Sequence, residues 1–339
     1  MIKQVKVGIL GATGAVGRQM IEVLEERRFP VSELRLFGSA RSAGSSIPFN
    51  GRDITIEEAS VEAFRGLDLL FGAVDNDVAR AMLPQAVAMG VTVIDNSSAF
   101  RLDPEVPLVI PEVNPEDVNL SKGLIANPNC ATIIGLTAIA PLHRHAKVER
   151  LIVSTYQAVS GAGKAGLDTL DREVAANDGQ RAEGSCFAYP IAYNLIPQIG
   201  SFNEEGYTSE EMKMQFEGRK MLHDDSLRVA CTCVRVPIAR SHSEAITVEF
   251  KHDITPEKAR ELLSNAPGVK LVDDPDQLLF PMPMSTSNQD LVYVGRIRRD
   301  LSAAGDEFRR SLTLFCCADQ IRKGAATNAV QIAELVIQA

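Results

Sequence analysis

The run 3–10 (KQVKVGIL) is short, nearly continuous in its apolar positions and rich in β-branched residues, which predicts a strand. Gly11-Ala12-Thr13-Gly14-Ala15-Val16-Gly17 follows at once, and a helical period then runs to Arg28. Further on, 33–37 reads as a strand and 47–57 as a hairpin turning at Asn50-Gly51. The apolar run 67–74 predicts a strand, 78–89 a helix and 91–95 another strand, with short strand candidates at 108–110 and 123–126. Strand and helix patterns alternating in this way predict a doubly wound α/β domain. After Cys130 the character changes. A helix is expected over 131–145, small and apolar at its start, and then long strand patterns at 150–159, 228–236, 244–252, 291–298 and 309–316, with few helices between them. That is the pattern of a mixed or antiparallel sheet in an α+β domain. The stretch 319–338 is an alanine-rich helix with a polar face, expected to return to the first domain. The expected fold class is therefore α/β, a Rossmann-type nucleotide-binding domain of 1–129 plus 319–339 with an α+β catalytic and dimerisation domain of 130–318. The polar stretch 175–210 and the Met/Pro/Ser-rich 280–290 read as loops or dimer-facing insertions.

A strand, a glycine loop and a helix in immediate succession form the start of a dinucleotide-binding βαβ unit. The glycines let the backbone turn tightly and approach a pyrophosphate, which then sits on the helix N-terminus. An NAD-specific site places an acid at the end of the second strand to hold the ribose 2′-hydroxyl. Here the segment is Gly38-Ser39-Ala40-Arg41-Ser42-Ala43-Gly44, with no acid, two hydroxyls and one guanidinium. Those groups suit a 2′-phosphate dianion, so NADP is the expected cofactor.

Composition narrows the remaining classes. With 339 residues the chain can build two domains with their own cores. A formal charge of −9 and no basic block argue against nucleic acid or an anionic membrane as a main partner. No apolar run reaches membrane-span length, and the direct entry into a strand reads as no signal peptide. The six cysteines, Cys231-Thr232-Cys233 and Cys316-Cys317 among them, show no zinc spacing and no Cys-x-x-Cys pair. These adjacent and alternating pairs read as reduced core residues, a reducing cytoplasm is the expected compartment, and no metal is expected.

The reactive chemistry is concentrated in Asn127-Pro128-Asn129-Cys130-Ala131-Thr132. Pro128 suits the turn before a helix, so Cys130 falls at a helix N-terminus, where the backbone N–H groups and the dipole stabilise a thiolate. A partner for proton transfer is sought among five histidines. His143 and His145 lie near a helix C-terminus, where a cation needs no further role. His223 and His252 stand in polar surroundings. His242 lies between two strand patterns, where sites are usually built, and is the first candidate for general acid/base work. Glu210 and Lys213, three apart at a likely helix start, share a face, which by spacing alone is an ordinary surface pair. Arg101 follows a strand end of the α/β sheet, the side on which ligands bind.

Taken together, Gly11 to Gly17, Asp95-Asn-Ser-Ser-Ala-Phe-Arg101, Asn127-Pro-Asn-Cys130, Thr155-Tyr-Gln157-Ala-Val-Ser-Gly161, Glu210-x-x-Lys213, Arg235 through His242 and Lys323-Gly-Ala-Ala resemble the aspartate-β-semialdehyde dehydrogenase family over essentially the whole chain. The serine-rich 39–45 loop and the long insert before Glu210 are similar to its bacterial dimeric branch. The resemblance implies Cys130 as nucleophile and His242 as acid/base. It implies Gln157 as a substrate-orienting group, Arg235 on the substrate α-carboxylate and Glu210 on its α-amino group. Arg101 and Lys213 would hold phosphate. Arg41, Ser42, Ser160, Gly161 and Gln320 would touch NADP, beside Gly11, Thr13, Gly14, Ala15, Val16, Gly17 and Ser39 of the first two loops. The implied activity is reversible reductive dephosphorylation of L-4-aspartyl phosphate to L-aspartate 4-semialdehyde through a cysteine thioester, serving lysine/diaminopimelate, threonine, methionine and isoleucine biosynthesis, in a homodimer. The nearest rival is an N-acetyl-glutamyl-phosphate reductase of similar layout. Its substrate has no free amine, so an acid at Glu210 would have no ion partner. A rival of another class, an inactive nucleotide-binding interaction protein, would be expected to lose Cys130 or His242, and both are present.

Overall fold

The computed structural model describes residues 4–338, which form two compact units, one of 4–129 with 325–338 and one of Cys130–Gly324. Lys3, at the start of the expected first strand, lies outside the described residues.

The first unit runs β1 (Val5–Leu10), α1 (Ala15–Glu26), β2 (Val31–Gly38), β3 (Ser46–Phe49), β4 (Arg52–Glu58), β5 (Leu69–Gly72), α2 (Asn76–Ala88), β6 (Thr92–Asp95) and β7 (Leu124–Ala126). Its seven-stranded sheet has the order β3-β4-β2-β1-β5-β6-β7, parallel except where β3 pairs antiparallel with β4. β5, and β1 apart from the exposed Lys6, are buried apolar runs because helices cover both faces of a doubly wound sheet. The β3–β4 hairpin turns at Asn50 (φ 48°) and Gly51 (φ 74°), two consecutive left-handed residues, as its Asn-Gly pair predicts. One expected strand is absent. In 108–110 only Leu108 makes a bridge, to Ala126, and the segment closes into a turn, with Val113 N and Asn114 N both donating to Ile110 O.

The chain returns to this unit as the helix Thr327–Gln338. The expected single helix from 319 is instead a turn at Asp319, a wide π turn at Arg322–Ala326 and then the α-helix. Asp319 explains the late start. Its Oδ1 accepts from Ile321 N and Arg322 N, a local alternative to helical bonding. The returning helix packs on α1, where Arg27 forms a two-pronged ion pair with Glu334, and Asn328 Nδ2 donates to Val109 O and Asn127 Oδ1.

The second unit runs α3 (Cys130–Ala146), β8 (Val148–Gln157), α4 (Gly163–Ala176), α5 (Ser209–Leu222), β9 (Arg228–Arg235), β10 (His242–Phe250), α6 (Pro256–Ser264), β11 (Val269–Leu271), β12 (Val292–Arg299) and β13 (Ser311–Ala318). The sheet order is β11-β12-β13-β10-β8-β9, with parallel pairs at β11/β12 and β8/β9 and antiparallel pairs between, so the sheet is mixed. α3 is buried from Ala131 through Leu142 because it lies against the inner face of this sheet, with α5 and α6 beside it. The core is built from Ile134, Ile139 and Leu142 of α3 meeting Leu151, Val153, Ile246, Val248, Leu312 and Leu314.

Candidate active site

In the first unit, the glycine loop is shaped by contacts that tolerate no side chain. Gly11 has φ +85°, and a Cβ there would strike the Ala73 carbonyl. A Cβ at Gly17 would collide with the Gly11 carbonyl oxygen, so the glycine permits α1 to start tight against the loop. The first residues of α1 have no side-chain cap from Gly14, and the space around Gly14 is open apart from Gly11 O. An uncapped helix start beside open backbone fits a pyrophosphate. Thr13 and Gly14 form the turn before Ala15, Val16 and Gly17, which open the helix. At the end of β2, Ser39 O accepts from Ser42 N, Ala43 N and Ser42 Oγ. That folds the loop and leaves Arg41 exposed, without a hydrogen bond or ion pair among the described residues. Asp95 orders the next loop by accepting from Ser97 N and Ser97 Oγ. Arg101 is buried, with Nε donating to Asn127 O and Nη2 to Asn96 O. Asn127 Nδ2 in turn donates to Asn96 Oδ1 and Ala325 O, so the two motifs and the returning helix share one polar knot.

In the second unit, Cys130 is the first residue of α3, half-buried, and a Cβ on Gly324 would sit 3.1 Å from its own Cβ. Pairing places the other candidates. Gln157 ends β8 opposite Arg235, which ends β9 in the same parallel register. His242 is the first residue of β10, not a loop residue between strands, because its backbone already pairs with Ala318. At Gly161 a Cβ would lie 2.7 Å from Arg235 Nη1 and 3.3 Å from His242 Cε1, so this glycine gives both side chains their room.

The hydrogen bonds assign each group a state. Ala158 N donates to His242 Nδ1 at 3.1 Å, so the neutral ring carries its proton on Nε2. Burial, reinforced by the Arg235 charge and opposed by Glu210, pushes the His242 pKa down to about 3, and the ring is neutral near pH 7. Arg235 is buried; Nη1 donates to Ala158 O at 2.6 Å and the guanidinium lies 6.0 Å from the centre of the Phe187 ring. Burial draws its pKa down while the facing Cys130 and Glu210 charges draw it up. Glu210 is buried, not a surface acid. Its Oε1 accepts from Gln157 Nε2 at 3.1 Å and its Oε2 pairs with Lys213 Nζ at 2.7 Å. Thr155 Oγ1 donates to Gln157 Oε1, which fixes the amide's orientation. Gln320 accepts from Ser241 N and donates to Ser160 Oγ, tying the Ser160 turn to the residue before His242. Ser241 is left-handed at φ 76°, a strained position held by that bond and by contact with Ser287 Oγ.

Three groups that local reasoning passes over belong to this neighbourhood. Asp319 is fully buried, and its Oδ2 accepts from Arg240 Nε and Asn288 N. Glu244 lies two residues after His242 on the same strand face, in register with Thr155 and Cys316, fully buried, with its Oε2 beside Gly135 of α3. Burial raises its pKa well above the ordinary carboxyl range. Glu173 is buried near the end of α4. An acid on a strand face or late in a helix carries no sequence sign of burial.

Two family models match the chain: "Semialdehyde dehydrogenase, NAD binding domain" over residues 6–121 and "Semialdehyde dehydrogenase, dimerisation domain" over 139–323. The aspartate-semialdehyde dehydrogenase of Aquifex aeolicus is 47% identical, with 98% of each chain covered. That of Bacillus subtilis is 45% identical over 97% of this chain and 96% of its own. The chain belongs to the aspartate-semialdehyde dehydrogenase family. The crystal structure of aspartate semialdehyde dehydrogenase II of Vibrio cholerae, complexed with ASA, superposes with a TM-score of 0.95 at 43% identity, covering 99% of both chains. Membership in this family makes the chain an oxidoreductase with a nucleotide-binding domain of the NAD(P) kind. No helix among the described residues is long and apolar enough to cross a membrane.

Proposed function

We propose that this protein catalyses the NADP-dependent, reversible reductive dephosphorylation of L-4-aspartyl phosphate to L-aspartate 4-semialdehyde. The observation that carries the reading is the set assembled in the second unit: a cysteine opening a buried helix, a neutral histidine with its proton on Nε2, a buried guanidinium and a buried carboxylate. An amino-acid zwitterion needs a cationic fork for its carboxylate and an anion for its ammonium, and Arg235 and Glu210 supply them. Glu210 already has an ion partner in Lys213, so the preference for the aspartyl substrate over the N-acetylated substrate of the rival reductase is carried by the likeness to full-length aspartate-semialdehyde dehydrogenases.

The α3 N-terminus favours the Cys130 thiolate. Its sulfur attacks the acyl carbon, the C–O bond to phosphate breaks, and a thioester forms. Lys213 and Arg101 are both assigned to the departing phosphate by resemblance. NADPH, when bound, would supply the hydride that reduces the thioester carbon. His242 Nε2–H then donates to the oxygen that gains charge, and collapse of the hemithioacetal releases the aldehyde and restores the thiolate. Ser39, Arg41 and Ser42 support NADP over NAD, since the β2 loop offers no acid to a ribose hydroxyl. Ser160, Gly161 and Gln320 are assigned to the same cofactor by resemblance.

We also assign a homodimer. The outer face of the six-stranded sheet carries Ile152, Tyr156, Val234, Ala245 and Phe315, and Ile152 and Tyr156 are exposed on a central strand. A sheet face of this composition is expected to be covered.

The test is phosphate-dependent reduction of NADP with aspartate semialdehyde, run beside N-acetyl-glutamate semialdehyde and with Cys130→Ser as a third arm. Turnover of the first aldehyde alone, lost in the variant, is expected. Equal turnover of both aldehydes, or substantial activity of Cys130→Ser, overturns the reading.

A further inference from the structure

Glu173 has a buried side chain, 3% exposed, and spends both oxygens on backbone amides of one loop. Oε1 accepts from Ala182 N at 3.1 Å; Oε2 accepts from Ile191 N at 2.6 Å and Ala192 N at 3.1 Å. The three amides lie at the two ends of the 182–192 segment, so one carboxylate ties the loop shut at its base. Within the loop, Arg181 Nε donates to Phe187 O and its Nη2 to Ser185 O, while Phe187 N donates to Ser185 Oγ. Phe187 is thereby held on both sides of its backbone. Its side chain packs on a small core of Val159, Leu170, Ile191 and Ile196, and its ring faces the Arg235 guanidinium. Ile196 reaches Arg235 by a second route, exchanging both backbone hydrogen bonds with it.

The Arg235 guanidinium therefore has two supports: Ala158 O on one nitrogen and the Phe187 ring over the group. A guanidinium binds a carboxylate well only when its planar fork is held in one orientation. The loop that supplies the ring has little core of its own, and the buried carboxylate closes it. We propose that Glu173 is a positioning residue for recognition of the substrate α-carboxylate, acting through the 182–192 loop and Phe187 on Arg235. The inference rests on the assignment of Arg235 to that carboxylate.

The test uses the full-length enzyme and compares aspartate semialdehyde with 3-aminopropanal, the same aldehyde without its carboxylate. Glu173→Gln keeps the size of the side chain, but its amide nitrogen cannot accept, so the charge-assisted clamp is lost. It is expected to raise KM for aspartate semialdehyde roughly tenfold, the weight of one such interaction. KM for phosphate and kcat are expected to stay within about twofold, and kcat/KM for 3-aminopropanal to remain unchanged. Phe187→Leu, which leaves Glu173 and the core contact in place, is expected to show the same split. Arg235→Lys is the control for the underlying assignment. If Arg235→Lys discriminates between the aldehydes and neither Glu173→Gln nor Phe187→Leu does, the positioning role is wrong and the carboxylate grip stands. If Arg235→Lys lowers kcat/KM for both aldehydes alike, the assignment beneath it is wrong. A uniform loss across aldehydes and phosphate in Glu173→Gln, with a lowered melting temperature, makes the clamp merely structural and overturns the proposal.

Discussion

Arg235 and Lys213 are both cations proposed to hold anionic groups of the substrates, and their surroundings fit the different work proposed for each. Arg235 is buried and braced, the state of a group that must meet a flat carboxylate at a set angle. Lys213 is more open and paired with Glu210, a compact point charge that fits the phosphate proposed for it. Arg235→Lys should therefore weaken aspartate semialdehyde binding and leave phosphate affinity nearly unchanged, while Lys213→Ala should do the reverse. Initial rates with both substrates varied check this, and equal damage to phosphate affinity in both variants refutes the division. Glu244 makes a second prediction at this scale, one about stability. Its folded pKa is raised, so the folded state keeps its proton when the unfolded chain, titrating near 4.5, has lost it. The folded state then binds more protons than the unfolded one, and stability falls as pH rises above about 4.5. Glu244→Gln removes that loss. Its melting temperature should match the parent near pH 4.5 and exceed it at pH 8, by about 2–4 °C for each kcal/mol relieved. His242 has the opposite sign. Its folded pKa, about 3, lies below the ordinary 6.5, so its contribution to stability declines as pH falls from 6.5 toward 3. A pH-independent gain in Glu244→Gln would mean that Glu244 is ionised in the fold.

At the scale of elements, the β1–α1 unit and the loop after β2 divide cofactor recognition. On the function proposed above, the backbone of the first would meet what NAD and NADP share, and the side chains of the second would meet only the 2′-phosphate. Gly17→Ala forces a methyl against the Gly11 carbonyl and should raise KM for both cofactors together. Arg41→Ala should raise KM for NADP alone, by about 1.5–3 kcal/mol, roughly ten- to hundredfold, the range of a charge-assisted contact. Steady-state kinetics with each cofactor distinguish the two, and an equal effect of Arg41→Ala on both would reduce the loop to a scaffold. Much at this scale is legible in the sequence, because long β-branched runs, Asn50-Gly51 and the glycine loop are local signals. The failures are equally physical. α4 buries only Gly166, Thr169, Leu170 and Glu173, so it shows no broad apolar stripe, and it lies in a stretch that reads as sparse in helices. α6 begins at Pro256 after the cap residue Thr255, whose Oγ1 accepts from Lys258 N, a signal available in the sequence and passed over. Residues 108–110 are apolar enough for a strand, but Asn114 turns the chain, its side chain bonding Ile110 N and Leu108 O. Cys130 and His242 stand out by local context. Arg235, Gln157 and Glu210 come only through resemblance, because the register of β8 with β9 and the approach of α5 join residues more than 20 apart.

For the whole molecule, the sheet of the second unit has two faces with different tasks. Alternation along β8 makes the division plain. Leu151, Val153, Thr155 and Gln157 point inward to α3, while Ile152 and Tyr156 point outward. Tyr156 lies 6.3 Å from Phe315 across the outer face, ring centre to ring centre, and Ile152 stands opposite Thr247 on β10. β8 and β10 are interior strands, so their edges are already paired and the outer face can be buried only by a body laid flat upon it. A second copy of the same sheet offers the same patch in return, the self-complementary arrangement of a two-fold dimer. Ile152→Glu places a charge in that patch without touching the inward layer that carries Gln157. The variant should keep its secondary structure by circular dichroism, because Ile152 contributes little to the core of a single chain. In sedimentation velocity it should run as a monomer at concentrations where the parent runs as a dimer, since an unpaired carboxylate in a dry interface costs several kcal/mol, of the order of about 2–5. A variant that still sediments as a dimer would place the interface on another surface, leaving the outer face of β8, β10 and β13 to some other partner.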